Sequence, residues 1–311
     1  MTEPTLVLLG SANAMVGMEA GRAVLERGGT ALDAVVTIVG VVEDAPDDHT
    51  VGFGGYPNIL GEVELDAAVM EGATRAAGAV AGLVGFRSPV AAARAVMEQL
   101  PHVLLVGAGA ARFAGEAGLE RRDMLTPDAR STWQRGIESL DGYSPDGALA
   151  PHVLRLVLDP EHVTGTVNVI ARDREGHLAT ATSTSGWAWK YPGRAGDTGM
   201  IGSGNYCDDR FGAATCTGWG ELAIRTAAAR SVVLGMRHGD APLDACIELL
   251  EDLPEVAITG ETPLHVLALH PDGRHAAVST ATDSRYAYWD DLLGEPEERA
   301  RTNVTTQERS S

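Results

Sequence analysis

The segment 165–184 constrains the fold of this chain more than any other stretch. Apolar side chains recur through 167–170, turn-forming residues follow at 173–176, and a second run rich in threonine and apolar residues covers 178–184. Two such runs joined by a glycine-containing turn predict a β-hairpin. The fold must therefore contain a sheet near the middle of the chain.

Helical patterns and further strands flank this hairpin on both sides. Helical spacing of apolar residues covers 16–24, 31–42, 89–100, 108–117, 221–238 and 241–252. Short strands are predicted at 6–9, 61–70 and 103–106, the second with one solvated face, and another hairpin joins 263–270 to 274–280. Strand pairs that alternate with blocks of helices predict an α+β fold with the helices outside the sheets.

Two regions lack a regular pattern. Between 123 and 165, prolines and glycines interrupt the sequence and leave only short helical hints, which predicts a mobile connector. The polar residues 291–311 predict a frayed tail.

Charge and cysteine content exclude several classes of protein. The 311 residues carry a net charge of −19, which argues against nucleic acid or an anionic membrane as a partner. No segment approaches the roughly 20 apolar residues that a membrane helix needs, and an early acidic residue argues against a signal peptide. Three cysteines without a CxxC or Cys/His cluster predict free thiols and no metal site. We therefore expect a cytoplasmic protein.

Thr166 is the strongest candidate for a nucleophile. A buried threonine is ordinarily a structural strand residue, but Thr166 follows Gly165, comes after the irregular segment and opens a strand. Cleavage between the two residues would give Thr166 a free α-amine beside its hydroxyl. Such an amine has a pKa of about 7.7 to 8 and can activate a threonine hydroxyl as a general base.

Several spaced motifs resemble the glycosylasparaginase and isoaspartyl peptidase/L-asparaginase family of N-terminal-nucleophile hydrolases. The motifs from the nucleophile onward are GTV at 165–167, ATSTSG at 181–186, KYPGRAGD at 190–197, GSGNYCD at 202–208 and TGWGE at 217–221. The earlier ones are GGTALDAVV at 28–36, TVGFGG at 50–55, ELDAAVMEG at 64–72 and GAVAG at 78–82. The resemblance therefore covers nearly everything except the connector and the tail.

The resemblance implies an αββα sandwich formed by one domain over 1–311. The chain would cleave itself into 1–165 and 166–311, and the two parts would pair again into a dimer of αβ heterodimers. It implies that no cofactor is required. A structural sodium ion occurs in some relatives, but the sequence assigns no metal-binding residue here.

The family pattern also implies catalytic roles. Thr166 matches the nucleophile freed by cleavage after Gly165, and Thr184 matches a second threonine whose hydroxyl tunes it. Thr217 and Gly218 match an oxyanion hole made of one hydroxyl and one backbone N–H. The structural alternatives are a strand position for Thr184 and a helix N-cap region for Thr217 and Gly218.

Two charged residues match the substrate-binding pair of the family. Arg194 matches the group that holds the substrate α-carboxylate, for which a guanidinium offers bidentate geometry. Asp197 matches the partner of the substrate α-ammonium. The alternative for both is an ion pair within the loop.

The sequence also departs from the family pattern. Asn168 stands where glycine usually follows Thr-Val, Thr198 and Gly199 replace Ser-Pro, and Thr164 with Gly165 replaces the His-Asp of glycosylasparaginases proper. Their N-terminal tryptophan near the substrate sugar has no counterpart at 9–13.

The resemblance predicts a hydrolase that cleaves the side-chain amide of a β-aspartyl compound and releases aspartate. Its substrate would be L-asparagine, an isoaspartyl dipeptide or N4-(β-N-acetylglucosaminyl)-L-asparagine. One alternative is an uncleaved, non-catalytic binding scaffold of the same fold. A second is a hydrolase of the same mechanistic class that acts on another acyl group.

Overall fold

A computed structural model describes residues 5–157, 165–253 and 263–304. Residues 158–164, which include Thr164, and residues 305–311 lie outside the described residues. The end of the predicted connector and the end of the predicted tail fall in these two ranges.

The described strands form two sheets. In chain order they are β1 (Val7–Ser11), β2 (Leu65–Glu71), β3 (Ala77–Leu83), β4 (Leu104–Val106), β5 (Val167–Arg172), β6 (Leu178–Thr184), β7 (Asn205–Asp208), β8 (Gly212–Gly218), β9 (Leu264–Leu269), β10 (His275–Ser279), β11 (Arg285–Asp290), β12 (Glu297–Ala300) and β13 (Thr302–Asn303). The first sheet has eight strands in the order β12-β11-β1-β5-β6-β2-β3-β4, and the second has five in the order β13-β10-β9-β8-β7.

The described helices precede or follow these strands in blocks. They are α1 (Met15–Glu26), α2 (Ala31–Glu43), α3 (Pro89–Gln99), α4 (Gly107–Glu116), α5 (Pro127–Glu138), α6 (Ala150–Val157), α7 (Gly220–Thr226), α8 (Ala228–His238) and α9 (Pro242–Glu251). None of these helices is long and apolar enough to span a membrane, and the longest, α2, has 13 residues.

The predicted central hairpin is confirmed as β5 and β6, which pair in antiparallel register in the middle of the first sheet. Asp173 closes the turn, because its side chain accepts from the backbone N–H of His177 at 2.9 Å and its carbonyl accepts from Gly176 at 3.0 Å. Gly176 has φ +85°, a conformation that glycine adopts without steric cost. Local turn chemistry therefore fixes the register of the hairpin.

Three apolar clusters separate four layers. One cluster lies between the first sheet and α1–α4 and includes Val167 and Val169. A second lies between the two sheets and includes Ile170, and a third joins the second sheet to α8 and α9. Since residues alternate across a strand, β5 sends odd-numbered side chains to the helices and even-numbered ones between the sheets. The predicted α+β fold with two sheets flanked by helices is confirmed, and it is consistent with an αββα sandwich.

The prediction of an irregular segment after 123 is wrong for two stretches, which form α5 and α6. Thr126 caps α5 by accepting from the N–H of Ala129 at 3.3 Å, and Pro127 occupies the first turn. Ile59, Leu140, Leu149 and Leu156 then form a small buried cluster. Apolar residues of the two helices and of the segment between them therefore pack on Ile59 and hold these helices in place.

Three other predictions need correction. The strand predicted at 61–70 begins at Leu65 and is buried on both faces, because α3 covers one face and the second sheet the other. The helix predicted over 221–238 is broken at Ala227, whose φ and ψ are both 47°. The start of the predicted frayed tail instead pairs as β12 and β13.

Candidate functional site

The end of the first sheet opens onto a cavity of about 380 Å³. Its lining brings together Gly165, Thr166, Thr217 and Gly218, which the sequence places far apart. Other lining residues come from the end of β1, from the residues just after it and from the turn after α2, namely Ser11, Asn13, Asp48 and Thr50. The predicted nucleophile and the predicted oxyanion hole therefore share one cavity.

Thr184 contacts the predicted cleavage site directly. Its hydroxyl donates to the carbonyl oxygen of Gly165 at 2.6 Å and accepts from the N–H of Gly186 at 2.9 Å. Thr184 is the last residue of β6, one step beyond the pairing of Val167 with Ser183. The strand register thus places its hydroxyl beside the bond between Gly165 and Thr166.

Asp48 holds together the part of the cavity wall that Asn13 and Thr50 form. One carboxylate oxygen accepts from the backbone N–H of Thr50 at 2.9 Å and from its hydroxyl at 2.6 Å, and the other accepts from Asn13 at 2.7 Å. Thr50 packs closely on Gly165, because a Cβ atom at that glycine would lie 2.5 Å from its hydroxyl oxygen. A larger residue before Thr166 would displace this wall.

Buried Lys190 anchors the loop that carries the predicted substrate-binding residues. Its ammonium donates to the carbonyl of Glu64 at 2.9 Å and lies 4.0 Å from the carboxylate of the same residue. Burial lowers the pKa of Lys190, and the nearby charges of Asp66 and Glu64 oppose that shift. The side chain of Glu64 also accepts from the N–H of Gly193 at 2.8 Å, one residue before Arg194.

Arg194 is paired in the absence of substrate. Its Nη2 and Nε donate to the same carboxylate oxygen of Glu221 at 2.8 and 3.1 Å, and its guanidinium lies 4.5 Å from the ring centroid of Trp187. A Cβ atom at Gly186 would lie 3.3 Å from Nη1, which places the guanidinium next to the backbone that Thr184 binds. A substrate carboxylate would share this arginine with Glu221.

Asp197 is buried beside the start of α7. A Cβ atom at Gly220 would lie 2.6 Å from its Oδ1, and Oδ2 has no hydrogen-bond partner among the described residues. Burial raises the pKa of Asp197 to about 7, against the lowering effect of the Arg194 charge. A buried carboxyl with an unfilled acceptor is suited to a cationic ligand.

Thr217 and Gly218 end β8. Gly218 has φ +106°, and a Cβ atom there would lie 2.2 Å from the carbonyl oxygen of Pro263, so only glycine fits. Trp219, not Thr217, is the N-cap of the helix that follows. The N-cap alternative is therefore wrong for Thr217, which is a strand residue paired with His265.

The structure thus brings the predicted residues together in two groups. The first group lines the cavity and consists of Gly165, Thr166, Thr217 and Gly218. Thr184 contacts this group through its hydrogen bond to the Gly165 carbonyl. Among the described lining residues, Arg194 and Asp197 do not appear. Arg194 instead packs against Gly186, whose N–H binds Thr184, and Asp197 packs against Gly220 at the start of α7.

Sequence reasoning missed five residues of this region. Asn13, Asp48, Thr50 and His265 line the cavity, and Glu221 pairs with Arg194. Thr50 and Glu221 belong to recognised motifs, so the motifs alone could have drawn attention to them. Asn13 and Asp48 carried no such signal, because their contact depends on how β1 meets the turn after α2.

The site contains no grouping that suggests a metal. Within the described ranges, no three His, Cys, Asp or Glu side chains are close enough to hold a metal ion. The three cysteines are unpaired with one another and buried, and burial raises the pKa of each thiol. The described lining of the cavity offers the hydroxyl groups of Ser11, Thr50, Thr166 and Thr217.

Comparison with known proteins identifies relatives of this chain by sequence. The sequence model of the asparaginase family, Asparaginase_2, matches residues 11–292. An N(4)-(β-N-acetylglucosaminyl)-L-asparaginase of Elizabethkingia miricola is 40% identical over 233 residues, which are 75% of this chain and 64% of that protein. An isoaspartyl peptidase of Salmonella typhimurium is 40% identical over 274 residues, 88% of this chain and 84% of the relative.

A plant-type L-asparaginase of Pyrococcus abyssi is 37% identical over 273 residues, 86% of each protein. The match thus covers less than two thirds of the length of the Elizabethkingia protein but over four fifths of the other two.

Proposed function

The chain belongs to the asparaginase family whose sequence model matches residues 11–292, and from this premise we propose that it is a self-processing amidohydrolase of β-aspartyl compounds. The observation that carries the proposal is the 2.6 Å hydrogen bond from the Thr184 hydroxyl to the Gly165 carbonyl. It polarises the carbonyl that Thr166 must attack during maturation.

Maturation follows from this geometry. The Thr166 hydroxyl oxygen attacks the carbonyl carbon of Gly165, the peptide C–N bond breaks, and the acyl group moves from nitrogen to oxygen. Water then hydrolyses the ester. Gly165 keeps a carboxylate, and Thr166 keeps its hydroxyl and gains a free α-amine that acts as general base.

The same groups then serve the substrate. The Thr166 hydroxyl attacks the side-chain carbonyl of the substrate and forms a β-aspartyl ester. The amide nitrogen of the substrate leaves with a proton as the amine product. Water then hydrolyses the ester and releases aspartate. The hydroxyl of Thr217 and the N–H of Gly218 stabilise the developing oxyanion. Arg194 holds the α-carboxylate and Asp197 the α-ammonium, which selects compounds with free α-amino and α-carboxyl groups and argues against a hydrolase for another acyl group.

The substrate class is a β-aspartyl amide with free α-amino and α-carboxyl groups. The names of the relatives differ in substrate, which leaves L-asparagine, isoaspartyl dipeptides and glycosyl-asparagine as candidates. We expect the matured protein to act as a dimer of αβ heterodimers. The acidic charge and unpaired cysteines support a cytoplasmic location without nucleic-acid or membrane partners.

A denaturing gel with N-terminal sequencing tests the proposal. The purified protein should give fragments of 165 and 146 residues (311 − 165), the smaller beginning Thr-Val-Asn-Val. Thr166→Ala should remain whole and inert, whereas Thr166→Ser should retain part of both activities. Parallel assays on asparagine, β-aspartyl-leucine and N-acetylglucosaminyl-asparagine would then rank the substrates. A single intact chain without hydrolysis of any of them would favour the binding scaffold.

A further inference from the structure

Asn168 is a buried amide that the proposed mechanism does not use. Its side chain is 0% exposed, and neither its Oδ1 nor its Nδ2 has a hydrogen-bond partner among the described residues. It stands two residues after Thr166, where glycine is usual in the family. Such a group is costly unless something else completes its hydrogen bonds.

The strand registers locate this amide between the sheets. Asn168 pairs with Thr182 in the first sheet, and Asn205 pairs with Thr215 in the second. Asn205 Nδ2 donates to the hydroxyl of Thr182 at 3.1 Å across the gap. The four residues are therefore the corners of one layer, with Asn168 facing Thr215.

The same layer contains other unsatisfied polar atoms. The hydroxyl of Thr215 and the Oδ1 of Asn205 are buried without a hydrogen-bond partner among the described residues. Together with the two amide atoms of Asn168, they provide both donors and acceptors within this one layer. A buried water typically makes about three such hydrogen bonds, and a site of this kind is polar enough to hold one.

This layer is adjacent to the layer that contains the proposed catalytic residues Thr166 and Thr217. Thr166 precedes Asn168 by two residues and Thr217 follows Thr215 by two, so each pair shares a strand face. Two residues along a strand span about 6.6 Å between their Cα atoms, and one water with two hydrogen bonds of about 2.8 Å spans up to about 5.6 Å between its partner atoms. Side chains on one strand face lean along the strand, so the longer side chain of Asn168 can cover the remaining distance toward Thr166. A water between Asn168 and Thr215 can therefore also contact Thr166.

We propose that Asn168 is a positioning residue that, with Thr215, holds an ordered water between the sheets, and that this water orients the Thr166 hydroxyl. The inference rests on the proposed function, in which Thr166 is the nucleophile. It assigns a role to the position at which this chain departs from the usual glycine.

Three variants separate a water-mediated role from a direct one. Asn168→Leu keeps the size of the side chain but excludes water, and Thr215→Val removes one hydroxyl with little change in shape. Each should lower kcat about tenfold, equivalent to about 1.4 kcal/mol, with little change in KM. Asn168→Gly leaves room for a second water and should keep kcat within about threefold of wild type, since one water-mediated hydrogen bond replaces another.

The double variant Asn168→Leu/Thr215→Val gives the sharpest test. If both residues hold the same water, the double variant should lose no more than the stronger single variant. Thr180→Val is the matched control, because Thr180 is also buried with an unpartnered hydroxyl but lies beside Ile170, one layer further from Thr166. It should leave kcat unchanged.

All kinetics should use protein that a gel shows to be fully cleaved, and a crystal structure of the matured protein should show the water on Asn168 and Thr215. Direct bonding of the Asn168 amide to Thr215, or an equal loss of kcat in Asn168→Gly and Asn168→Leu, would overturn the inference. If Asn168→Leu does not fold, unchanged kcat in Thr215→Val would overturn it equally. Wild-type protein that neither cleaves nor hydrolyses a β-aspartyl substrate would instead refute the proposed function.

Discussion

At the scale of single residues, the Thr184 hydroxyl would connect the proposed maturation with the proposed catalysis. It donates to the Gly165 carbonyl and accepts from the N–H of Gly186, whose neighbour in space is Arg194. One side chain therefore links the bond to be cleaved to the loop that would hold the substrate.

Thr184→Val keeps the shape of the side chain and removes this donor. We expect slower self-cleavage and, in the matured fraction, a kcat on asparagine lower by about 10²–10³, the usual effect of losing one stabilising donor. Thr184→Ser keeps the hydroxyl and should preserve most of both activities. Timed gels and steady-state kinetics measure the two effects, and equal rates in Thr184→Val and wild type would refute this role.

Asp197 gives the proposed activity a pH dependence. Burial raises its pKa to about 7, so the carboxyl is protonated, and unable to pair with an ammonium group, below that pH. The value of kcat/KM for asparagine should therefore fall about a hundredfold per pH unit below 7, because this ratio reports the free enzyme, in which both Asp197 and the Thr166 α-amine are then protonated. In kcat the Asp197 inflection should lie at lower pH, since a bound ammonium lowers the pKa of the carboxyl.

Asp197→Asn is the control for this profile. It should raise KM and leave only the inflection of the Thr166 α-amine, expected at about 7.7 to 8. An unchanged profile in Asp197→Asn would show that the lower inflection belongs to another group.

At the scale of elements, the junction of α7 and α8 is strained. Ala227 ends one helix and begins the next with φ and ψ both 47°, which is a left-handed conformation. An alanine in this region costs roughly 1–2 kcal/mol because its Cβ crowds the following carbonyl. The break turns α8 back over the second sheet.

Ala227→Gly should therefore raise the free energy of unfolding by about 1 kcal/mol, since glycine adopts this conformation without strain. Ala20→Gly in the interior of α1 is the matched control and should lower it by up to about 1 kcal/mol. Urea denaturation of both variants measures the difference. Destabilisation of the same size in both would contradict the left-handed strain at Ala227.

At the scale of the whole molecule, the first sheet interleaves the two predicted fragments. Strands β5 and β6, after the cleavage site, lie between β1 and β2, which precede it. The new ends would form at the edge of the cavity, while the hydrogen bonds on both sides of this pair of strands stay intact. Cleavage therefore cannot release either part without breaking the sheet.

We accordingly expect the cleaved fragments to elute together in size-exclusion chromatography and to separate only in denaturant. Thr166→Ala should elute at the same volume as the cleaved protein, because cleavage changes no strand pairing. Dissociation under native conditions would argue against the interleaved sheet.

The sequence predicted features that depend on neighbours along the chain. The β5–β6 hairpin followed from apolar alternation and the turn at Asp173, and the matching motifs singled out Thr166, Arg194 and Asp197 for the candidate site. The break at Ala227 was not predictable in this way, because alanine is the strongest helix former and only packing against the second sheet imposes the left-handed turn.

The sequence by itself therefore determined the α+β class, the central hairpin and the identity of the candidate nucleophile. Only the tertiary structure decided that Arg194 pairs with Glu221, that Asp48 and Thr50 face Gly165, and that Asn168 is enclosed opposite Thr215. The physical reason is that burial and hydrogen-bond partners depend on which strand lies across the gap between the sheets. Alternation along one strand fixes the face of a side chain but not what that face meets.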